Sequence, residues 1–251
     1  MLKRIALILT VCCPLAAFGS EGGHPPFWEQ PSINVHDQAS LQRGARLFAN
    51  YCMGCHQAKY QRWMHVADDL GIPDDVLQDN LIWTTGPKGK KERVGTLMTN
   101  AMTDDYATQA FGKVPPDLTL VARYREPAWI YNYLRSFYID ESSKTGANNA
   151  LLKGASMPDV LWSLQGWQRP KYEEGDGNGE KRIVGFDQVQ KGSMTPEEYD
   201  RAVTDLVNFL AYVGEPAQLD RAAMGKWVIL FLVVLLVLVY ALKKEYWKDV
   251  H

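Results

Sequence analysis

Cys52-Met53-Gly54-Cys55-His56 places two thiols three residues apart, with an imidazole directly after the second. On a turn of chain that spacing lets each thiol form a thioether to one edge of a porphyrin. The next imidazole then falls beneath the ring, where it can ligate iron. C-x-x-C-H is the attachment signature of a c-type haem. Three other chemistries use paired cysteines. A structural disulfide requires only an oxidising compartment. A thioredoxin-like redox pair requires a βαβ pattern, which the sequence lacks. A zinc site requires a second ligand pair. The chain has 4 cysteines, but Cys12 and Cys13 lie in the N-terminal apolar stretch, and His24, His36, His65 and His251 are scattered. The haem chemistry fits best.

A haem that only transfers electrons normally takes a second axial ligand, and methionine gives a higher potential than histidine. Met157 follows Gly154-Ala155-Ser156 and precedes Pro158, a flexible approach with a rigid exit. Met98 and Met102 are its competitors, and His65 is a more distant one. A haem enzyme such as a peroxidase would instead need the sixth position open.

The elements around these residues read as mainly helical, with long loops. Residues 40–51 form an amphipathic helix with Ser40 as N-cap. Leu41, Ala45, Phe48 and Tyr51 or Cys52 share its apolar face, and Gly44 on that face admits the close approach of another helix. Pro127 opens a helix at its first position. Trp129 to Tyr138 continue it, with Ile130, Tyr131, Leu134, Phe137 and Tyr138 inward. Thr195-Pro196-Glu197-Glu198 is a capping box with proline in the first turn. The apolar face Tyr199, Val203, Leu206, Val207, Leu210 follows, and Gly214-Glu215-Pro216 ends that helix. Residues 86–93 (GPKGKKER) and 172–180 (YEEGDGNGE) read as solvated loops.

The two ends differ from the middle. Residues 1–19 have a basic start, an apolar stretch too short to span a bilayer, and Ala17-Phe18-Gly19 before Ser20, the layout of a cleavable export signal. Residues 227–242 (WVILFLVVLLVLVYAL) are uncharged and apolar on every face. Extended to 222–243 they span a bilayer as a helix. Trp227, Tyr240, Tyr246 and Trp247 suit its interfaces, and Lys243, Lys244 and Lys248 place the C-terminus in the cytoplasm. Residues 20–221 are then an exported, periplasmic head and residues 244–251 a short cytoplasmic tail.

Composition agrees. Lys+Arg 27 against Asp+Glu 29 gives a net charge of −2, which is no nucleic-acid-binding polycation. A mean hydropathy of −0.25 argues against a polytopic membrane protein. With the two ends set aside, the head is more acidic than the whole chain and should attract basic partners.

The segments RGARLFANYCMGCH (43–56), PPDLTLVARYR (115–125), WIYNYLRSFY (129–138), TGANN (145–149) and MPDVLWSLQG (157–166) together resemble the cytochrome c1 family, in its proteobacterial form. The resemblance implies a mainly α, cytochrome-c-like head with long loops on one C-terminal transmembrane helix. It implies one covalent haem c, held by Cys52 and Cys55 and ligated by His56 and Met157. By register, Arg125 would pair with a haem propionate, with Tyr131 nearby and Arg123 as the alternative. Pro116, with Pro115, would fix the loop at the haem edge. The implied partners are cytochrome b, a Rieske iron–sulfur protein and a soluble or tethered cytochrome c, in a dimeric complex of the bacterial inner membrane. The implied task is electron relay with no bond made or broken by this chain alone. A tethered cytochrome serving another oxidase or reductase is the rival. Glu173, Glu174 and Asp176 are candidates for docking a basic cytochrome c.

Overall fold

The computed structural model of the chain describes residues 24–86, 88–174 and 181–248. The expected export signal and its expected cleavage point, Asp176 and residues 249–251 lie outside them.

Two helices form the frame of the head. The first, α1 (Gln38–Leu47), continues into a π-helical turn, Phe48–Cys52, that ends at the first thiol. Its N-cap is Asp37, whose side chain accepts from the Ser40 amide at 3.0 Å. This corrects the expectation of Ser40 as cap. The Ser40 hydroxyl is instead buried and donates to Asp205 Oδ1 at 2.6 Å, on the partner helix.

Beyond the haem motif come β1 (Ala58–Arg62), α2 (Trp63–Leu70), α3 (Asp74–Asn80), β2 (Leu97–Met98) and α4 (Asp104–Phe111). Then α5 (Val121–Tyr124) and α6 (Pro127–Arg135) lead into β3 (Phe137–Ile139) and β4 (Ala147–Asn149). Next are α7 (Trp162–Gln165), β5 (Gly166–Glu174), β6 (Lys181–Lys191), α8 (Pro196–Gly214) and α9 (Gln218–Tyr246). The three sheets among the described residues are antiparallel pairs, β1–β2, β3–β4 and β5–β6.

The second frame helix, α8, begins at the expected capping box, with Thr195 and Glu198 bonded reciprocally, and ends at Gly214. It packs across α1 at Gly44. A Cβ there would lie 2.1 Å from the Asp205 carbonyl oxygen and 2.6 Å from Phe209 Cβ, so only glycine permits this approach. Around the crossing, Arg43 pairs with Asp205 at 2.6 Å and Asn208 donates to Ser40 Oγ at 3.0 Å. Phe48 and Phe209 meet at 5.6 Å between ring centroids. The crossing is thus apolar at its centre and hydrogen-bonded at its edge, which fixes the angle at which Cys52 is presented.

The helix from Pro127 stops at Arg135, earlier than expected, because Phe137 to Ile139 leave it to pair with β4. Phe137 and Tyr138 remain buried, but in a strand. Residues 172–174, expected in a loop, belong to the β5–β6 hairpin, which runs from Gly166↔Lys191 to Glu174↔Lys181. Both strands are free edges with mostly exposed side chains, so Pro170 is tolerated and the pattern that marks a half-buried strand is absent. Glu173 and Glu174 face Arg182 and Lys181 across it. The basic stretch near residue 86 folds back through an isolated bridge, Thr85↔Lys91.

The last helix, α9, starts at Gln218, before the expected boundary at 222, and continues through Lys243 and Lys244. An 18-residue window within Ala223–Tyr246 has a mean hydropathy of 2.6, and none of its residues is buried by the rest of the chain. Such a length of apolar helix matches the hydrocarbon thickness of a bilayer.

Candidate haem site

The π-helical turn widens the backbone just before the motif: the Met53 amide reaches the Phe48 carbonyl at 3.0 Å. The Cys52 carbonyl then accepts from both Cys55 N (3.0 Å) and His56 N (2.8 Å). This one oxygen gathers the motif into a turn and brings both thiols and the imidazole to the same cavity. Single π-turns of this kind cluster at functional sites.

The two thiols are unpaired, Cys52 buried and Cys55 half-buried. Burial pushes the Cys52 thiol up to about 12 and raises Cys55 as well. A reactive dithiol pair has the opposite property, a lowered pKa.

His56 Nδ1 lies 2.8 Å from the Pro116 carbonyl oxygen. A carbonyl only accepts, so Nδ1 carries the hydrogen and Nε2 the lone pair, the tautomer that ligates a metal through Nε2. Burial lowers the His56 pKa, partly opposed by that same carbonyl, and keeps the ring neutral. The loop supplying the carbonyl is pinned to the motif strand at three more points. Leu118 N donates to Gln57 O at 2.7 Å, Lys59 N to Asp117 Oδ2 at 2.8 Å, and Tyr60 N to Thr119 Oγ1 at 3.4 Å. Pro116 thus contributes through a backbone oxygen in a stiffened loop.

Met157 lines the same cavity as Cys52, Cys55 and His56. Its approach is set by β4. Asn148 Oδ1 accepts from Gly154 N at 2.8 Å, Asn149 Oδ1 accepts from Leu151 N at 2.9 Å, and Gly154 turns the chain at φ +77°. The competitors sit elsewhere. Met98 is buried in β2 opposite Ala58, Met102 lines a separate cleft behind the attachment loop, and His65 is exposed on α2.

Arg125 lies at the cavity rim, its guanidinium 4.8 Å from the Trp129 ring centre. Glu126, the only described non-glycine residue with positive φ (+68°), turns the chain sharply between Arg125 and Pro127, the first residue of α6. Arg123 and Tyr131 do not line the cavity. Arg123 pairs with Glu215 at 2.9 Å, at the foot of α8. Tyr131 lies under Arg135 (4.7 Å), which is tied to Glu29 and Asp200. The cause is helical phase. The cavity-facing side of α6 carries Trp129, Ile130, Tyr133 and Leu134, and two residues from Tyr133 is roughly 200° around the helix. Tyr133 escaped the sequence reading, although the spacing of Trp129, Tyr133 and Phe137 by four marks one face. Burial pushes the Tyr133 phenol up to about 12, so it remains a donor at neutral pH.

The remaining wall is apolar, from Leu118, Val121, Val160, Leu206 and Leu210 among others. These residues fit a covalently attached haem: two unpaired thiols on one turn, an imidazole of the right tautomer, a thioether sulfur on the same cavity, and a guanidinium at the rim of a mostly apolar pocket. Fold and site together define a c-type cytochrome head on a single C-terminal membrane helix.

Comparison with known proteins narrows the class. The model of the Cytochrome C1 family matches residues 27–250. Cytochrome c1 of Allochromatium vinosum is 48% identical over the full length of both chains. The ammonia monooxygenase gamma subunit of Nitrosomonas europaea is 42% identical, covering 99% of this chain and 98% of its own. Cytochrome c1 of Rhodospirillum rubrum is 28% identical over 94% and 92%. The chain belongs to the cytochrome c1 family. It is accordingly a membrane-anchored subunit carrying one covalent haem c, the electron-transfer haem subunit of a bc1 complex.

Proposed function

We propose that this chain takes single electrons from a Rieske iron–sulfur protein and delivers them to a soluble or tethered cytochrome c, within a dimeric quinol–cytochrome c reductase. The observation that carries this reading is the meeting of Cys52, Cys55, His56 and Met157 on one cavity. Cys52 and Cys55 would hold the haem as thioethers, His56 Nε2 and Met157 Sδ would ligate its iron, and Arg125 would pair with a propionate. The bound haem would supply a one-electron couple. The chain excludes water with the apolar walls, holds the imidazole through Pro116, and a thioether ligand would bias the couple upward. The head lies in the periplasm and the C-terminus in the cytoplasm, supported by Lys243, Lys244 and Lys248 at the end of the apolar span.

Rapid mixing of the purified complex with a quinol tests the relay. The c-type haem is expected to reduce only while the Rieske protein is present; reduction at an unchanged rate after its removal contradicts the relay. Reversing Glu173 and Glu174 to lysine tests the acidic docking surface. Each faces a base across the hairpin, so their field is partly offset. The association rate with a basic cytochrome c should fall roughly threefold at low ionic strength and converge with wild type at high salt. An unchanged rate at low salt removes these residues from the docking surface.

The Nitrosomonas relative, named as a subunit of a different oxidoreductase, supports a second reading: a tethered cytochrome serving another enzyme. The redox centres that accompany the chain from its membrane separate the two.

A further inference from the structure

A ladder of side chains at intervals of four residues starts just before α6, runs along its cavity-facing side and ends at the start of β3. The Arg125 guanidinium lies 4.8 Å from the Trp129 ring centre. Trp129 and Tyr133 stack with centroids 4.9 Å apart and planes 11° from parallel. Tyr133 meets Phe137 edge to face at 5.1 Å. At its middle the ladder makes one polar contact with the opposite wall: Tyr133 Oη donates to Met157 Sδ at 3.6 Å. Among the described residues no oxygen or nitrogen accepts from this phenol, although the residue is buried. A buried phenol normally finds a stronger acceptor than a thioether, which accepts only weakly. Here the ring is clamped by Trp129 on its face and Phe137 at its edge, so the O–H is aimed at sulfur by packing.

We propose that Tyr133 is a positioning residue for the axial thioether, holding Met157 Sδ by a hydrogen bond and thereby raising the reduction potential of the site. This rests on the reading of Met157 as sixth ligand. A sulfur that accepts a hydrogen bond donates less electron density to iron, which disfavours the ferric state more than the ferrous one. The same bond restrains the Met157 side chain, so displacement of the sulfur by an outside ligand is slower. Trp129 acts one step further back, by fixing the tilt of the Tyr133 ring.

Tyr133→Phe keeps the ring and its stack and deletes only the hydroxyl. In the full-length, haem-loaded protein three quantities are read: the reduction equilibrium against a fixed mediator, the rate of carbon monoxide binding to the ferrous form, and the sulfur-to-iron charge-transfer band of the ferric form. The bond is comparable with other weak neutral hydrogen bonds, so the equilibrium should move about three- to tenfold toward the oxidised form. Carbon monoxide should bind faster and the charge-transfer band should persist. Trp129→Phe should shift the equilibrium in the same direction by less, which keeps the test available if the first variant loads haem poorly. A wild-type equilibrium and a wild-type carbon monoxide rate in both variants overturn the proposal. Met157→Leu separates it from the reading beneath it. Loss of the band in that variant, with Tyr133→Phe unchanged, refutes Tyr133 alone. Persistence of the band in Met157→Leu refutes the sixth ligand, and Tyr133 with it.

Discussion

Met157→Leu is expected to abolish the sulfur-to-iron band and to lower the reduction potential by on the order of a hundred millivolts or more. Axial ligands set haem potentials over a range of about 0.8 V, so exchange of a thioether for water, or for no ligand, falls well inside that range. Leucine conserves volume to within the tolerance of a packed core, so the loss should be in ligation rather than in folding. The cavity supports this specificity. Met98 is locked in β2, and Met102 lines the separate cleft on the other side of the attachment loop. Neither can replace the sulfur without unmaking local structure. The ferrous form of the variant should bind carbon monoxide rapidly, because the sixth position has no strong occupant. Optical titration of the variant in its membrane checks both statements. A wild-type potential would show that Met157 is only a wall residue.

Gly44→Ala should destabilise the head strongly. The added Cβ would sit 2.1 Å from the backbone oxygen of Asp205, so relief requires moving one helix rather than one rotamer. Overpacking of this kind costs about 1–3 kcal/mol and occasionally more; the backbone clash puts Gly44→Ala at the upper end. For a head of this size about 3 kcal/mol corresponds to a fall in Tm of roughly 6–12 °C. The effect also reaches function, because α1 runs into the turn that presents Cys52, and Ser40 and Arg43 beside it hold Asp205. Haem incorporation should therefore fall along with Tm, whereas a surface alanine on the same helix, such as Arg46→Ala, should alter both only slightly. Equal Tm values for Gly44→Ala and the parent would mean that the two helices do not approach as closely as described.

What could be read from the sequence was what is local. C-x-x-C-H names its chemistry by spacing alone. The capping box at Thr195 and Glu198 is a four-residue pattern, and the apolar run of α9 is continuous. Gly44 on an apolar face announced a close helix contact. What escaped depended on partners distant in the chain. Ser40 and Asp37 are both good caps three residues apart, and only the distant Asp205 decides that Ser40 is used elsewhere. The end of α6 at Arg135 is decided by β4, and the β5–β6 hairpin lacks the alternation that burial of one face would impose. At the site, the tautomer of His56 is fixed by a carbonyl sixty residues away. Family register favoured Tyr131, whereas helical phase places Tyr133 in the cavity. The face that carries chemistry is thus better found from the i, i+4 aromatic spacing than from register.

The central claim, a haem-bearing relay inside a quinol-oxidising complex, is tested most directly by purifying the chain from its native membrane in mild detergent and recording the redox centres that come with it. The account predicts b-type haems and a Rieske iron–sulfur signal together with one low-spin, methionine-ligated c-type haem per chain. A c-type haem alone, with neither of the other centres, would contradict it and make the tethered-carrier reading the correct one.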